Sequence, residues 1–469
     1  MPVSTPLDSP DTPEGNHPVA KTGDADLLSR PEGRTLLRFS IPLAFGFVIN
    51  AVYSWTDMYF VSRLGDQAIT ALGFSEQINF VLFTLGSGFC IGSGVIVARR
   101  IGEGRRSRGA VIATQAMSFM AVYSSIMAAI LIVLLPLLLR VLSLSGNVLD
   151  LTHGYMLILL FGFPANLVTF LSNCIIRSTG NTLFPMTVLI LSAVCNVAAD
   201  PILIFGLFGV PALGVPGAAL STVIAQYVAV SISLYALFSG RLNLRLYRPT
   251  LRFDRDSLRT IFNVGLPSSL QTLAVSVSRV VMISIANAFG VAVAAAYTIG
   301  LKVDILVFMP IFAYGIAIET LVSQSIGAGK LEKVTRFRRV AIRQLGGLIA
   351  VVGLSVFVFA EEIARIFSSE ITVVEATISY LHYAVFGYLF FVVGQAGTRS
   401  LSGAGHSTRS MLIVAAMLFL IMVPMAWILS HGTPLRERGI FLSIAISYAA
   451  YAVAATLAVR GHRWMSRKL

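Results

Sequence analysis

The sequence predicts an all-α membrane protein: twelve transmembrane helices in two six-helix bundles related by pseudo-two-fold symmetry, a parallel repeat. Three observations carry this. Apolar runs of about 20 residues, long enough to cross a bilayer, recur along the chain. Of the 469 residues 56% are hydrophobic and only 12% charged, where a soluble domain carries about a quarter. The second half also falls on the first, without a gap, at an offset of 225 positions. Pro42 lands on Pro267, Gly65 on Gly290, Phe83 on Phe308, Ile101-Gly102-Glu103-Gly104 on Ile326-Gly327-Ala328-Gly329, Tyr155 on Tyr380 and Gly180 on Gly405. A duplicated apolar unit of this size marks a transporter built from two related bundles.

The first six spans run at about 36–62, 72–98, 111–137, 152–175, 183–206 and 214–238. The second six run at about 259–288, 295–325, 340–360, 377–398, 410–430 and 439–459. No β-barrel alternation appears, so each span is a helix, which satisfies its own backbone hydrogen bonds in lipid. Within the second span, Gly86-Ser87-Gly88-Phe89-Cys90-Ile91-Gly92-Ser93-Gly94 presents small residues on one face, the pattern of close helix packing. It lacks the strand–turn–helix frame of a phosphate loop. Six spans per repeat is an even number, so both bundles enter the membrane the same way up.

A net charge of +13 suggests nucleic acid in a soluble chain; its placement here argues for topology instead. Arg99, Arg100, Arg105, Arg106 and Arg108 fall between spans 2 and 3, six arginines between 6 and 7, and Lys330, Lys333, Arg336, Arg338, Arg339 and Arg343 between 8 and 9. The alternate connections hold few basic residues. The positive-inside rule then places both termini and the basic loops in the cytoplasm, in a plasma (inner) membrane protein. Residues 1–30 are polar and read as a disordered cytoplasmic tail, not a signal peptide. The remaining units are a first lobe 31–239, a basic linker 240–258, a second lobe 259–460 and a short cytoplasmic tail 461–469. Cys90, Cys174 and Cys195 all lie in spans, without metal-ligand spacing, and support neither disulfides nor a redox motif.

Ionisable residues inside spans are costly and mark functional sites. In the first lobe these are chiefly Asp57 and Asp200. Counting from the cytoplasmic ends of their spans, Asp57 lies about 32 Å along the first and Asp200 about 26 Å along the fifth. Both fall in the outer half of one lobe. Asn196 shares a face with Asp200 and Asn50 shares one with Asp57. Two acids in one low-dielectric pocket interact as a coupled pair and can exchange protons or trade a proton for another cation. The competing assignment is structural: a hydrogen bond to a neighbouring helix for Asp57, a helix end for Asp200. The second lobe carries Arg279, Lys302, Asp304 and Glu319, where Lys302 and Asp304 are expected to pair with each other or with Arg279. Met282 stands at the repeat position of Asp57, so the function is expected to be lopsided towards the first lobe. Pro42 and its twin Pro267 free a helix carbonyl, giving either a static kink or, at Pro42, a hinge.

At this point the residues resemble a family. Ile41-Pro42, Asn50-Ala51-Val52-Tyr53-Ser54-Trp55-Thr56-Asp57 and Arg63-Leu64-Gly65 resemble the first span of multidrug and toxic compound extrusion (MATE) transporters. Arg177-Ser178-Thr179-Gly180-Asn181-Thr182, Asn196-Val197-Ala198-Ala199-Asp200-Pro201 and Gly214-Val215-Pro216-Gly217 resemble their later motifs, in order, over about residues 31–460. The resemblance implies antiport: efflux of cationic or lipophilic compounds driven by H+, favoured here, or Na+. It is most similar to the DinF-like branch, in which residues matching Asp57, Asn196, Asp200 and Thr222 line a cation site, and ones matching Tyr155 and Asn173 line the cavity. It implies no cofactor, no metal beyond a coupling Na+ at those four residues, and a monomer whose partners are small molecules and membrane lipid, not nucleic acid. Members similar to the NorM type carry acids in spans 7 and 10; span 7 here offers Gln271 and Arg279 instead. The rivals are a flippase of lipid-linked saccharides from the same superfamily, and a polytopic membrane enzyme. The second lacks any His-Glu-x-x-His or Gly-x-Ser-x-Gly motif.

Overall fold

The computed structural model describes residues 28–142, 146–248, 254–461 and 463–466. The proposed tail over 1–27 and 467–469, and residues 249–253 of the linker, lie outside them. The first bundle comprises α1 (Glu32–Ser62), α2 (Asp66–Gly102), α3 (Arg106–Val141), α4 (Gly146–Ser178), α5 (Leu183–Phe205) and α6 (Val215–Ser239). The second comprises α7 (Arg255–Asn287), α8 (Val291–Gly327), α9 (Leu331–Val358), a short α10 (Ala360–Phe367), α11 (Ile371–Gly403), α12 (Ser407–Ala416), α13 (Val423–His431) and α14 (Glu437–Ala458). Among the described residues, twelve helical stretches are long and apolar enough to span a membrane, the eleventh running from Ser407 to His431 through a π turn at Met417–Met422. Pro424 follows that turn and brings no N–H to the ladder, a common cause of such a bulge.

The helices overshoot the apolar runs read from sequence. α2 and α8 have 37 residues each, about 55 Å of helix, and carry polar ends beyond the hydrocarbon. The turns that close them repeat the duplication at the level of backbone geometry. Gly65 and Gly290, Gly104 and Gly329, and Gly180 and Gly405 are pairs offset by 225 and all have positive φ, a conformation open to glycine without steric cost.

The bundles meet at the end that carries the arginine-rich loops. There α2 and α8 cross so closely that a Cβ on Gly102 would overlap the Gln324 carbonyl, and one on Gly327 the Arg99 carbonyl. Gly102 and Gly327 are repeat twins, as are Arg99 and Gln324, so the crossing is reciprocal about the pseudo-two-fold axis. Further along, the small face of α2 receives α7: Gly88 lies against Gly265 and Gly92 against the Ile261 carbonyl. Ser269 of α7 donates from Oγ to the Thr84 carbonyl (2.8 Å) and accepts from the Gly88 amide (3.1 Å). Ser323 donates to Val95 O (2.7 Å) and Gln324 Nε2 to Ser178 O (2.6 Å), both across the bundle boundary.

Helix α1 belongs to both bundles. It packs along α5, where Gly46 lies against Leu189. Leu36 and Phe39 at its base are buried in the apolar core built from α8, α9 and α11. Glu32 pairs with Lys333 at 3.7 Å, and Gln344 Nε2 reaches Gly33 O at 3.4 Å.

Valine at Gly102 or Gly327 is expected to force the bundles apart at this end, overpacking of this kind costing about 1–3 kcal/mol. Spin-label distances between the α2–α3 and α8–α9 turns should lengthen. Unchanged distances and an unchanged melting temperature would refute the crossing as the point of closure.

Candidate functional site

The first bundle groups Asp57, Asn196, Asp200 and Thr222, the four that the family resemblance implied. Asn196 and Asp200 are one turn apart on α5, which turns both side chains the same way. Asn196 Nδ2 lies 3.3 Å from Asp200 Oδ1, 3.2 Å from Ser221 Oγ and 3.4 Å from Thr222 Oγ1. Its two hydrogens are therefore shared among three acceptors. Ser221 Oγ donates to Asp200 Oδ1 in a short hydrogen bond. Tyr53 OH, one turn before Asp57 on α1, donates to Thr222 Oγ1 at 3.3 Å and closes the group from the α1 side.

This is an acceptor-rich site. Asp57 is 5% exposed, and Asn196 and Asp200 are 0%. Asp57 Oδ1, Asn196 Oδ1 and Asp200 Oδ2 are buried and accept no hydrogen bond from any described residue. The two carboxylates stand close enough for each charge to act on the other, with Glu76 of α2 also acting on Asp57. No Lys, Arg or His forms an ion pair with Asp57 or Asp200 among the described residues. The arrangement can take up a proton or a small hard cation, which supplies the missing partner and cancels charge.

Three residues expected to line one cavity are dispersed. Tyr155 of α4 is buried (3% exposed) and within electrostatic range of Asp57. Asn173 lies 18 positions further along α4, about 27 Å away. Asn50 is exposed and takes part in none of the cluster's hydrogen bonds; although it shares a face with Asp57, seven residues put it about 10 Å lower on α1. Pro42 is buried within α1, which continues through it as helix. The carbonyl it deprives of a helix partner, that of Arg38, accepts a long bond (3.5 Å) from Thr182 Oγ1.

In the second bundle the expected Lys302–Asp304 pair is absent among the described ion pairs. Lys302 is exposed while Asp304 is buried, since residues two apart on a helix face nearly opposite ways. Asp304 instead accepts Tyr380 OH at Oδ2 and Tyr388 OH at Oδ1, both at 2.7 Å. Arg279 is exposed and acts on Asp304 only at range. Glu319 pairs with Arg399 of α11 at 3.0 Å. At the repeat positions of Asp57, Asn196 and Asp200 stand Met282, Ile421 and Met425, so the acceptor cluster has no twin.

Sequence reasoning missed Tyr53, Ser221, Glu76, the two tyrosines and Arg399. Glu76 lies inside the second apolar run and carried the same signal as Asp57. Tyr53 is detectable as Asp57 minus one turn.

Arg399→Ala is expected to destabilise the protein by about 3–5 kcal/mol, because it strands a buried Glu319 charge. Adding Glu319→Gln should restore much of that loss in detergent melting curves. Additive losses would refute the pairing.

A family model for MatE matches residues 42–202 and 267–428, two stretches that begin 225 residues apart, as the internal repeat does. The chain is 27% identical over 423 residues to a probable multidrug resistance protein, YoeA, of Bacillus subtilis, covering 89% of this chain and 91% of the relative. It is 26% identical over 404 residues to a probable multidrug resistance protein, NorM, of Thermotoga maritima, covering 84% and 85%. Its fold matches a MATE family transporter solved in an outward-facing conformation, with a TM-score of 0.87, 24% identity and coverage of 95% and 99%. The paired matches cover both halves of the repeat, and the chain therefore belongs to the MatE family of multidrug and toxic compound extrusion transporters, which are membrane carriers and not enzymes.

Proposed function

We propose that this protein is a cation-coupled antiporter that exports cationic or lipophilic small molecules, the coupling ion being H+ rather than Na+. The observation that carries the reading is the pair Asp57/Asp200: two enclosed carboxylates that, among the described residues, have no basic partner and carry oxygens that lack a donor. Charge left so in an apolar bundle costs several kcal/mol per ion, and uptake of a cation relieves it. A proton needs one such oxygen. A metal ion wants a shell of oxygens, and Ser221 Oγ and Thr222 Oγ1 already serve Asn196 and Tyr53. This supports H+.

The mechanism follows from how α1 is held. Its base is anchored to the second bundle by Leu36, Phe39 and the Glu32–Lys333 pair. Its outer half faces the acceptor cluster, and Pro42 lies between. Neutralising Asp57 removes its repulsion from Asp200, lets the outer half of α1 settle differently on α5, and changes the space available to substrate. Lobes 31–239 and 259–460 then open alternately to each side of the plasma membrane, within a monomer whose termini and basic loops are cytoplasmic. The same four coupling residues support placement in a DinF-like branch.

Asp57→Asn is expected to lower pH-gradient-driven efflux of a cationic dye from proteoliposomes at least tenfold while leaving the melting temperature near that of the parent. Retained efflux would remove Asp57 from coupling. With H+ and Na+ gradients imposed separately, the H+ gradient should drive counterflow and the Na+ gradient should not. Pro42→Ala should slow turnover more than it weakens dye binding; equal turnover would make the proline a fixed bend.

A further inference from the structure

Glu76 acts on the coupling pair without being enclosed with it. It stands about 15 Å along α2 from Asp66, inside a span where an ionisable group is costly unless it faces a bundle interior or a water-filled cavity. Its carboxylate makes no ion pair among the described residues. The hydrogen bond it accepts there, from Ser54 Oγ of α1, is a long 3.5 Å. Its charge reaches Asp57 on α1 and Tyr155 on α4. The acid is therefore turned towards the acceptor cluster, yet unlike Asp57 and Asp200 it is exposed.

Its neighbours show what it is exposed to. A Cβ on Gly73, about one turn before Glu76, would meet nothing within 4 Å among the described residues. Phe80, one turn after it, is 47% exposed, and Met58, one turn past Ser54 on α1, is 48%. Residues three or four apart share a helix face, so open space, carboxylate and phenyl ring follow one another along one side of α2. The row continues in steps of four through Thr84, Gly88 and Gly92, where α7 meets it. Glu76 thus stands on the stretch of this row that α7 leaves uncovered. A carboxylate there is too costly to face acyl chains, which makes the uncovered stretch a wall of a wet cleft, with apolar side chains on both sides of the charge.

We infer that Glu76 receives the positive charge of an organic cation whose apolar body lies against Phe80 and Met58. An aromatic face adds to the hold on a cation. The inference rests on the export reading and divides the acids of the first bundle: Asp57 and Asp200 serve the coupling ion, Glu76 the cargo. A cation at Glu76 and a proton on Asp57 each cancel negative charge that would hold the other, and by linkage each weakens the other's binding by the same factor. Such mutual exclusion is what exchange of one for the other requires.

The test titrates purified full-length protein in detergent with two dyes of one shape, N-methylacridinium, which is permanently charged, and acridine, at an alkaline pH where acridine is neutral. Dissociation constants come from dye fluorescence, and melting curves verify that each variant is folded. The parent should prefer N-methylacridinium. Glu76→Gln should weaken that dye about tenfold, the low end of what one bond to a charged group is worth, and leave acridine near its parent value. Glu76→Asp should recover part of the loss. Gly73→Leu, which fills the open space and keeps the acid, should weaken both dyes. The assay needs no gradient, so it is separable from coupling. Loss confined to N-methylacridinium, together with undiminished efflux by Asp57→Asn, would retain Glu76 as the cargo contact and remove the coupling role of Asp57. A parent without charge preference, equal effects of Glu76→Gln on both dyes, or binding unaltered by Gly73→Leu would overturn the inference, even where Asp57→Asn abolishes efflux.

Discussion

Helices in lipid gain little by hiding apolar surface from one another, so how closely two backbones can approach decides where they bind. In this protein that constraint is met at the reciprocal crossing of α2 and α8, where Gly102 and Gly327 each abut the other helix's main chain. The crossing lies on the pseudo-two-fold axis and fixes one end of the bundle boundary. The small face of α2 extends the seam along α7 through Gly88, Gly92 and Gly265.

The bundles treat buried charge differently. In the second, Asp304 is met by two phenols, one to each oxygen, and Glu319 by the Arg399 cation at Oε2, its Oε1 accepting no hydrogen bond among the described residues. Hydrogen bonds to a charged group contribute about 1.5–3 kcal/mol each, enough for two of them to offset much of a carboxylate's desolvation. In the first bundle Asp200 has partners on one oxygen only, and an oxygen of Asp57 has none among the described residues. The repeat has kept its helices and turn glycines while its halves differ in which polar groups they bury. Met282, Ile421 and Met425 fill with apolar volume the places that Asp57, Asn196 and Asp200 fill with oxygen.

Much of this was legible from the chain alone, for physical reasons that also mark where legibility stopped. Apolar run length and the 225-residue offset located every span, because hydrocarbon thickness sets the first and duplication of one unit the second. Span ends were less visible, since polar helical turns continue past the lipid: α11 reaches Gly403, which puts Arg399 inside a helix whose apolar run stops one residue earlier. Asp57 and Asp200 could be placed in one half of the lobe by counting turns and Asn196 by its spacing from Asp200, while Thr222 was legible only through the family resemblance. Asn50 and Asn173 do not join them, because facing the same way on a helix says nothing about depth. Lys302 and Asp304 were misjudged by proximity in sequence, and their spacing of two already argued against contact. The tyrosines that hold Asp304 come from α11, and no pattern local to α8 could announce them.

Ser269 gives the seam a property that the glycines alone would not. Its hydroxyl bridges Thr84 O and Gly88 N, a carbonyl and an amide spaced as successive partners in one turn of α2. Should α7 withdraw, those two groups can satisfy each other, and the serine can turn back to a carbonyl of its own helix. Withdrawal at this one contact therefore strands neither backbone group in hydrocarbon. A contact of this kind can come undone without leaving exposed valences behind.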